Sequence, residues 1–198
     1  MSRTAVNGAY IHIVRLQLHE RLAYPLDILG NWISFPLTLI IYYVVYGHIY
    51  AQQPDFVGMT FLSLLSYLSL AFMYRKMGEG LGESFEVEEE IKKGEIFTYV
   101  TRPLNYFGVR LARQCGKFAA RALVAIPLAY AVGFILTGTL LPLDRFIFGL
   151  GLSIVGSLAV FQLYHCTGLL AFWFEETWGF RRALMTIAWL FSGSIVPI

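Results

Sequence analysis

Charged residues are missing from five stretches of the chain, 28–54, 56–74, 122–143, 146–174 and 183–198. A membrane-crossing helix needs about 20 mostly apolar residues. Placing a charge at mid-membrane costs roughly 2.5–3.5 kcal/mol on insertion scales. The first four runs are long enough to cross. None alternates polar and apolar positions as a barrel strand would. The pattern predicts an all-α membrane protein with five transmembrane helices. The fifth run is shorter: at 1.5 Å per residue it reaches about 24 Å of a hydrocarbon core about 30 Å thick. It closes on Ser192, Gly193, Ser194 and Pro197 with no charged stop. A carboxylate stranded there would be costly, so the natural chain is expected to continue and to return through a sixth span.

Ahead of the first run, Ile11, Val14, Leu18 and Leu22 recur at helical spacing, while His12, Arg15, His19 and Glu20 fall on other faces. This predicts an amphipathic helix within residues 1–26 lying in a membrane interface, separated by Pro25 from the span that follows. Arg3, Arg15, Glu20 and Arg21 interrupt any early apolar core, so no cleavable signal peptide is expected. Residues 27–198 then form one transmembrane domain.

Charge placement orients the chain. Of its 15 Lys and Arg residues, only Arg145 falls on one side. The rest precede the first run, lie between the second and third (Arg75 to Arg121), or lie between the fourth and fifth (Arg181, Arg182). Basic residues collect on the cytoplasmic side, which puts the N-terminus in the cytoplasm. Composition agrees: 57% of residues are hydrophobic and 14% charged, against about 25% charged in soluble domains. Cys115 and Cys166 have no disulfide or metal-ligand spacing and read as small apolar residues.

The cytoplasmic stretch 75–117 is the only long polar region. It opens with Gly78, Gly80 and Gly82, and a short helix can follow with Ser84 as N-cap. Glu86, Glu88, Glu89 and Glu90 fill its first turns, Lys92 and Lys93 its end, and Gly94 sits just past it. That order suits the helix dipole and a glycine C-cap. Glu88 with Lys92 and Glu89 with Lys93 are favourable i,i+4 pairs. Phe85 and Ile91 leave a narrow apolar edge. The helix is either a solvated connector or a docking element for a soluble partner.

The run from Glu90 through Ile91, Lys92, Lys93 and Gly94 to Arg102, Pro103, Leu104, Asn105 and Tyr106 resembles a segment of membrane subunits of type-2 ATP-binding-cassette (ABC) transporters. It is similar above all to a bacterial subgroup of permeases somewhat longer than this chain. Residues 191–197 also resemble that family's S-G-x-x-x-P near the outer end of the fifth span. The resemblance implies a bacterial cytoplasmic-membrane exporter in which two six-span permeases pair, as a homodimer or a heterodimer. Each would dock a separate ATPase that binds ATP and Mg. It further implies that Glu86, Glu88, Glu89, Glu90, Ile91, Lys92 and Lys93 form a coupling helix in the loop 75–117, followed by Gly94, Arg102 and Pro103. No G-x-x-x-x-G-K-[ST] occurs: Gly116-Lys117 is followed by Phe118, and Leu111 stands in place of the first glycine. ATP chemistry is therefore assigned to another polypeptide, and no catalytic, cofactor or metal residue to this one. Lipid surrounds the spans, and nothing points to nucleic acid.

Within the spans, Gly149, Ser153 and Ser157 repeat at i,i+4 with Gly156 beside them, a pattern that lets helices approach closely, within the subunit or at a dimer seam. Ser63, Ser66 and Ser69 either satisfy nearby backbone or line a substrate path. Tyr42, Tyr43, Tyr46, Tyr50, Trp173 and Trp178 suit interfacial belts, with an aromatic drug pocket as the other reading. Glu175, Glu176, Arg181 and Arg182 make a compact charged loop, a solvated turn or a second ATPase contact. His12, His19, His48 and His165 do not cluster, and His165, inside the fourth run, is expected to hydrogen-bond to an adjacent helix rather than relay protons. Two rival functions follow from the same residues. A lipid-modifying membrane enzyme would have to use the acids Glu86 to Glu90, and an ion-coupled transporter would need acidic residues inside spans, where this sequence has none.

Overall fold

The structure is a computed structural model that describes residues 3–24, 26, 30, 32–53, 58–79, 81–99, 101, 104–137 and 143–190. Every regular element among them is helical. We label the α-helices in chain order: α1 Arg3–Ala23, α2 Ser34–Gln52, α3 Phe61–Met77, α4 Leu81–Lys92, α5 Tyr106–Thr137, α6 Leu143–Leu169 and α7 Trp178–Leu190. Two 3-10 turns, Glu95–Tyr99 and Leu170–Phe172, follow α4 and α6. Arg102, Pro103, the loop segments 54–57 and 138–142, and the S-G-x-x-x-P run all lie outside the described residues.

Among the described residues, three helices are long and apolar enough to cross a membrane: Ser34–Gln52, Tyr106–Ile135 and Phe146–Phe172. They expose what a soluble protein hides. Ile40, Ile41, Tyr43 and Val44 on α2, and Ile147, Phe148 and Val155 on α6, point outward. Exposed apolar surface of this extent marks a membrane or protein contact.

The centre of the fold is α3. Thr60 caps it by accepting from the Ser63 amide at 3.3 Å, and its 17 residues bury Leu64, Leu65, Leu68, Phe72, Met73 and Met77. Phe72 packs on Phe35 of α2 with ring centroids 5.6 Å apart. Trp32, Ala125 and Ala129 of α5 and Phe146 of α6 complete this core. The hydroxyls of Ser66 and Ser69 donate to the carbonyls of Leu62 and Ser66, so they satisfy their own helix. At 1.5 Å per residue, 17 residues reach about 26 Å, which is why length alone does not single α3 out as a span.

The third apolar run turns out to be the second half of a much longer helix. α5 has 32 residues, about 48 Å of rise, well beyond a core of about 30 Å. Its first half carries Arg110, Arg113, Lys117 and Arg121. Residues expected in a wet loop are thus helical, and several are buried. α1 lies along this half. A Cβ built on Gly116 would come 2.7 Å from the Val14 carbonyl oxygen and 2.8 Å from Gln17 Cβ, and one on Gly108 2.9 Å from Tyr10 Oη. These two glycines are what allow α1 so close. Tyr10 Oη also accepts from the Asn105 amide at 3.2 Å. Ile11 and Leu22, placed on the apolar stripe of α1, remain exposed.

Candidate functional site

The short acidic helix exists, but it begins earlier than its sequence suggests. α4 starts at Leu81, so Gly82 is helical, and Ser84 is an interior residue, wholly buried, rather than the N-cap. Its end is as expected. The amides of Lys93 and Gly94 donate to the carbonyls of Glu89 and Ile91, and Gly94 takes φ +72°, a left-handed conformation that glycine adopts without a Cβ penalty. The 3-10 turn Glu95–Tyr99 leads away.

The charges on α4 face the opposite way from a solvated connector. Glu83, Glu86 and Glu90, spaced i, i+3 and i+7, share one face, and that face meets α5. Arg110 of α5 is fully buried and holds all three. Its Nε and Nη2 each donate to Glu83 at 2.8 Å, Nη2 to Glu86 at 2.9 Å and Nη1 to Glu90 at 3.1 Å. Lys117 donates to Glu86, Arg113 to Glu90 at 3.1 Å, and the Tyr106 hydroxyl to Glu90 at 2.9 Å. Three carboxylates are therefore matched by three cations. His165 of α6 adds a contact from Nδ1 to Glu83 at 3.0 Å, the bond to an adjacent helix anticipated for it.

A neighbouring face of α4 meets α7. Glu88 accepts from Arg181, from the Thr177 hydroxyl at 2.6 Å and from Lys92 at 2.7 Å. Arg181 also stands 3.8 Å from the Phe85 ring centroid, within cation–π range. Arg181 is therefore not part of a loop beside Glu175 and Glu176: it is a buried residue in the first turn of α7, while Glu175, Glu176 and Arg182 stay exposed. Between the two charged faces, Val87 is buried against Gly168 of α6. A Cβ on Gly168 would come 2.7 Å from Val87 Cβ and 3.0 Å from the Ser84 carbonyl oxygen.

Burial pushes the Glu83 carboxyl up, but hydrogen bonds from His165 and Arg110, with the charges of Arg110 and Lys117, outweigh it and hold it below the usual range. For Glu88, burial again opposes ionisation, and the bonds from Lys92, Thr177 and Arg181 bring it down to about 2. Both are held as carboxylates, the form that keeps the junction together.

What α4 leaves bare is a different stripe: Phe85, Glu89, Lys92 and Lys93, continued by Phe97 of the 3-10 turn. Among the described residues, Glu89 and Lys93 form ion pairs only with each other, at 2.6 Å. Of the residues assigned to the site, Glu86, Glu88 and Glu90 are thus turned into the protein, Ile91 and Gly94 are half-buried, and Glu89, Lys92 and Lys93 face out. The sequence reading assigned Arg110 and Lys117 no role at this junction, and placed Arg181 in a loop. One signal was available: Arg110, Arg113 and Lys117 repeat i, i+3, i+7, the same spacing as their acidic partners.

The small residues of α6 also divide. A Cβ on Gly149 would come 2.5 Å from Tyr74 Oη, the Ser153 hydroxyl donates to the Tyr74 carbonyl at 3.3 Å, and Ser157 lies against Gly78. This stripe packs on α3 of the same chain. Gly156 does not: it is exposed, with no heavy atom within 4 Å of a Cβ built there.

No curated protein and no solved structure matches the chain. The family described as ABC-2 family transporter protein matches residues 33–192, which takes in every described helix from α2 to α7. The chain therefore belongs to the ABC-2 transporter family and is a membrane permease of an ABC transporter.

Proposed function

We propose that this chain is the permease subunit of an ATP-driven exporter in a bacterial cytoplasmic membrane. In this reading α1, α4 and the first half of α5 are cytoplasmic, and α2, α3, the second half of α5, α6 and α7 are the five spans. Two permeases, identical or not, enclose the path, and each docks a separate ATPase through α4. ATP binding closes the ATPase pair, α4 moves with it, and α5, α6 and α7 follow. The permease then shifts between states of different substrate affinity, and a substrate biases that equilibrium only by its differential binding.

The observation that carries the reading is the two-sidedness of α4. A coupling element must be stiff toward what it moves and bare toward what moves it. Buried charge pairs tie one side to α5 and α7 and a hydrogen bond from His165 ties it to α6, and the other side shows Phe85, Glu89, Lys93 and Phe97 to solvent. The excess of basic residues at this end supports its cytoplasmic placement.

The test is retention of a P-loop ATPase by the full-length chain. Glu89→Lys combined with Phe97→Ala alters only exposed positions, so the melting temperature should hold while the ATPase is lost. Undiminished retention by that variant would remove α4 as the docking element. Reversal at Glu88 or Glu90 is the wrong probe, because it breaks contacts inside the permease.

A further inference from the structure

A cleft of about 770 Å³ runs between α3, α6 and α7, within the size range of small-molecule sites. Gly156 borders it, and a Cβ built there meets no heavy atom within 4 Å, so a larger side chain would project into open space. Its walls are mostly apolar, and three of them, Leu152 and Leu163 of α6 and Met185 of α7, are themselves largely exposed on the outer surface. The cleft is thus continuous with the surface that α6, a membrane-spanning helix by length and apolarity, offers to hydrocarbon.

One level of the cleft, where α3 runs beside Gly156, differs in charge. Arg75 and Lys76 border it together with Glu79. Glu79 is taken by Lys76 at 3.2 Å, whereas the exposed Arg75 guanidinium stacks 5.2 Å from the Phe72 ring centroid. Arg121 stands behind them, its Nη1 spent on the carbonyls of Met77 and Glu79. Two cations thus line the cleft against one carboxylate. An apolar slot opening sideways to lipid, with an excess of positive charge at one level, matches an amphiphile that carries a negative head.

We infer that the cleft is a site for an anionic phospholipid of the surrounding membrane, with head group at Arg75 and Lys76, level with Gly156, and acyl chain along Leu70 and Leu152. The site needs α3 and α6 in a membrane and is independent of α4 docking an ATPase, so the two fail separately.

The test uses the full chain in nanodiscs of phosphatidylcholine and phosphatidylglycerol in equal parts, with a photoreactive diazirine on the acyl chain of one lipid or the other. Cross-linked peptides of α6 and α7 are read by mass spectrometry. Labelling from phosphatidylglycerol should exceed that from phosphatidylcholine roughly fivefold, the factor one basic residue is worth at an anionic membrane surface. Arg75→Gln with Lys76→Gln should bring the ratio close to unity. Gly156→Leu should abolish labelling from both lipids, while Gly151→Leu, which also meets open space but lies off the cleft, should leave it intact. Equal labelling by the two lipids in the unmodified chain, or labelling that survives Gly156→Leu, would each overturn the assignment.

Discussion

The junction around Arg110 and the seam between α3 and α6 both hold helices together, by opposite means. At the junction, charged groups are taken out of water and survive only because each finds a partner. At the seam, Gly149, Ser153 and Ser157 let two helices touch, and the polar atoms involved are few. The first kind of contact is all or none: a buried charge without its partner is far worse than no charge. The second is graded, because a side chain that collides can often give way. A permease that must transmit motion gains from having both, a stiff grip on α4 and helices that slide along small residues.

The largest effect that would break this comparison is at Arg110. Arg110→Leu strands Glu83 and part of the charge on Glu86 and Glu90, and removing one partner of a buried pair typically costs about 3–5 kcal/mol. The detergent-solubilised protein should melt much earlier or fail to accumulate, and adding Glu83→Gln should recover part of the loss. A variant as stable as the parent would show the junction to be solvated.

A middle-sized effect separates two glycine positions of equal chemistry. At Gly116 an added methyl meets backbone, the Val14 carbonyl, which cannot turn aside as a side chain can. Gly116→Ala should destabilise by about 1–3 kcal/mol, as overpacking does, and make α1 cleavable by protease. Gly156→Ala meets nothing and should be neutral or stabilising by up to about 1 kcal/mol, since alanine is the better helix former. Equal effects at the two sites would mean that α1 does not rest on α5.

The smallest effect is one of acid. Glu88 has its carboxyl lowered from 4.5 to about 2, so its bonds to Lys92, Thr177 and Arg181 add stability that is fully present above the ordinary carboxylate range and disappears as pH falls through about 2. The gap in melting temperature between the parent chain and Glu88→Gln should therefore be widest at neutral pH and narrow below about pH 4.5. A gap that stays constant down to acid pH would show that Glu88 is not held as a carboxylate by these partners.

Much of the fold was legible because hydrocarbon imposes a simple rule on sequence. The runs 28–54 and 146–174 became α2 and α6 with only their ends adjusted. The C-cap at Gly94 and the pairs Glu88–Lys92 and Glu89–Lys93 are local, set by one turn of helix, and were read correctly. The errors share a cause. Ser84 was taken as a cap, Arg110 to Arg121 as a wet loop and Arg181 as a loop residue, because polar and charged side chains were assumed to stay at the surface. Ser84, Arg110, Arg113, Lys117 and Arg181 instead found partners across helix–helix contacts 20 to 97 residues away in the chain.

Periodicity and charge by themselves determined that this is a helical membrane protein, where its apolar helices lie and where its one acidic helix ends. These properties depend on each residue's own solvation and on neighbours within a turn or two. Which way α4 turns its acids, which glycines are contacts and which one borders a cleft were decided only by the tertiary structure. A carboxylate can keep its charge in water or beside an arginine that offsets its burial, and only the packing of α4 against α5, α6 and α7 says which it receives.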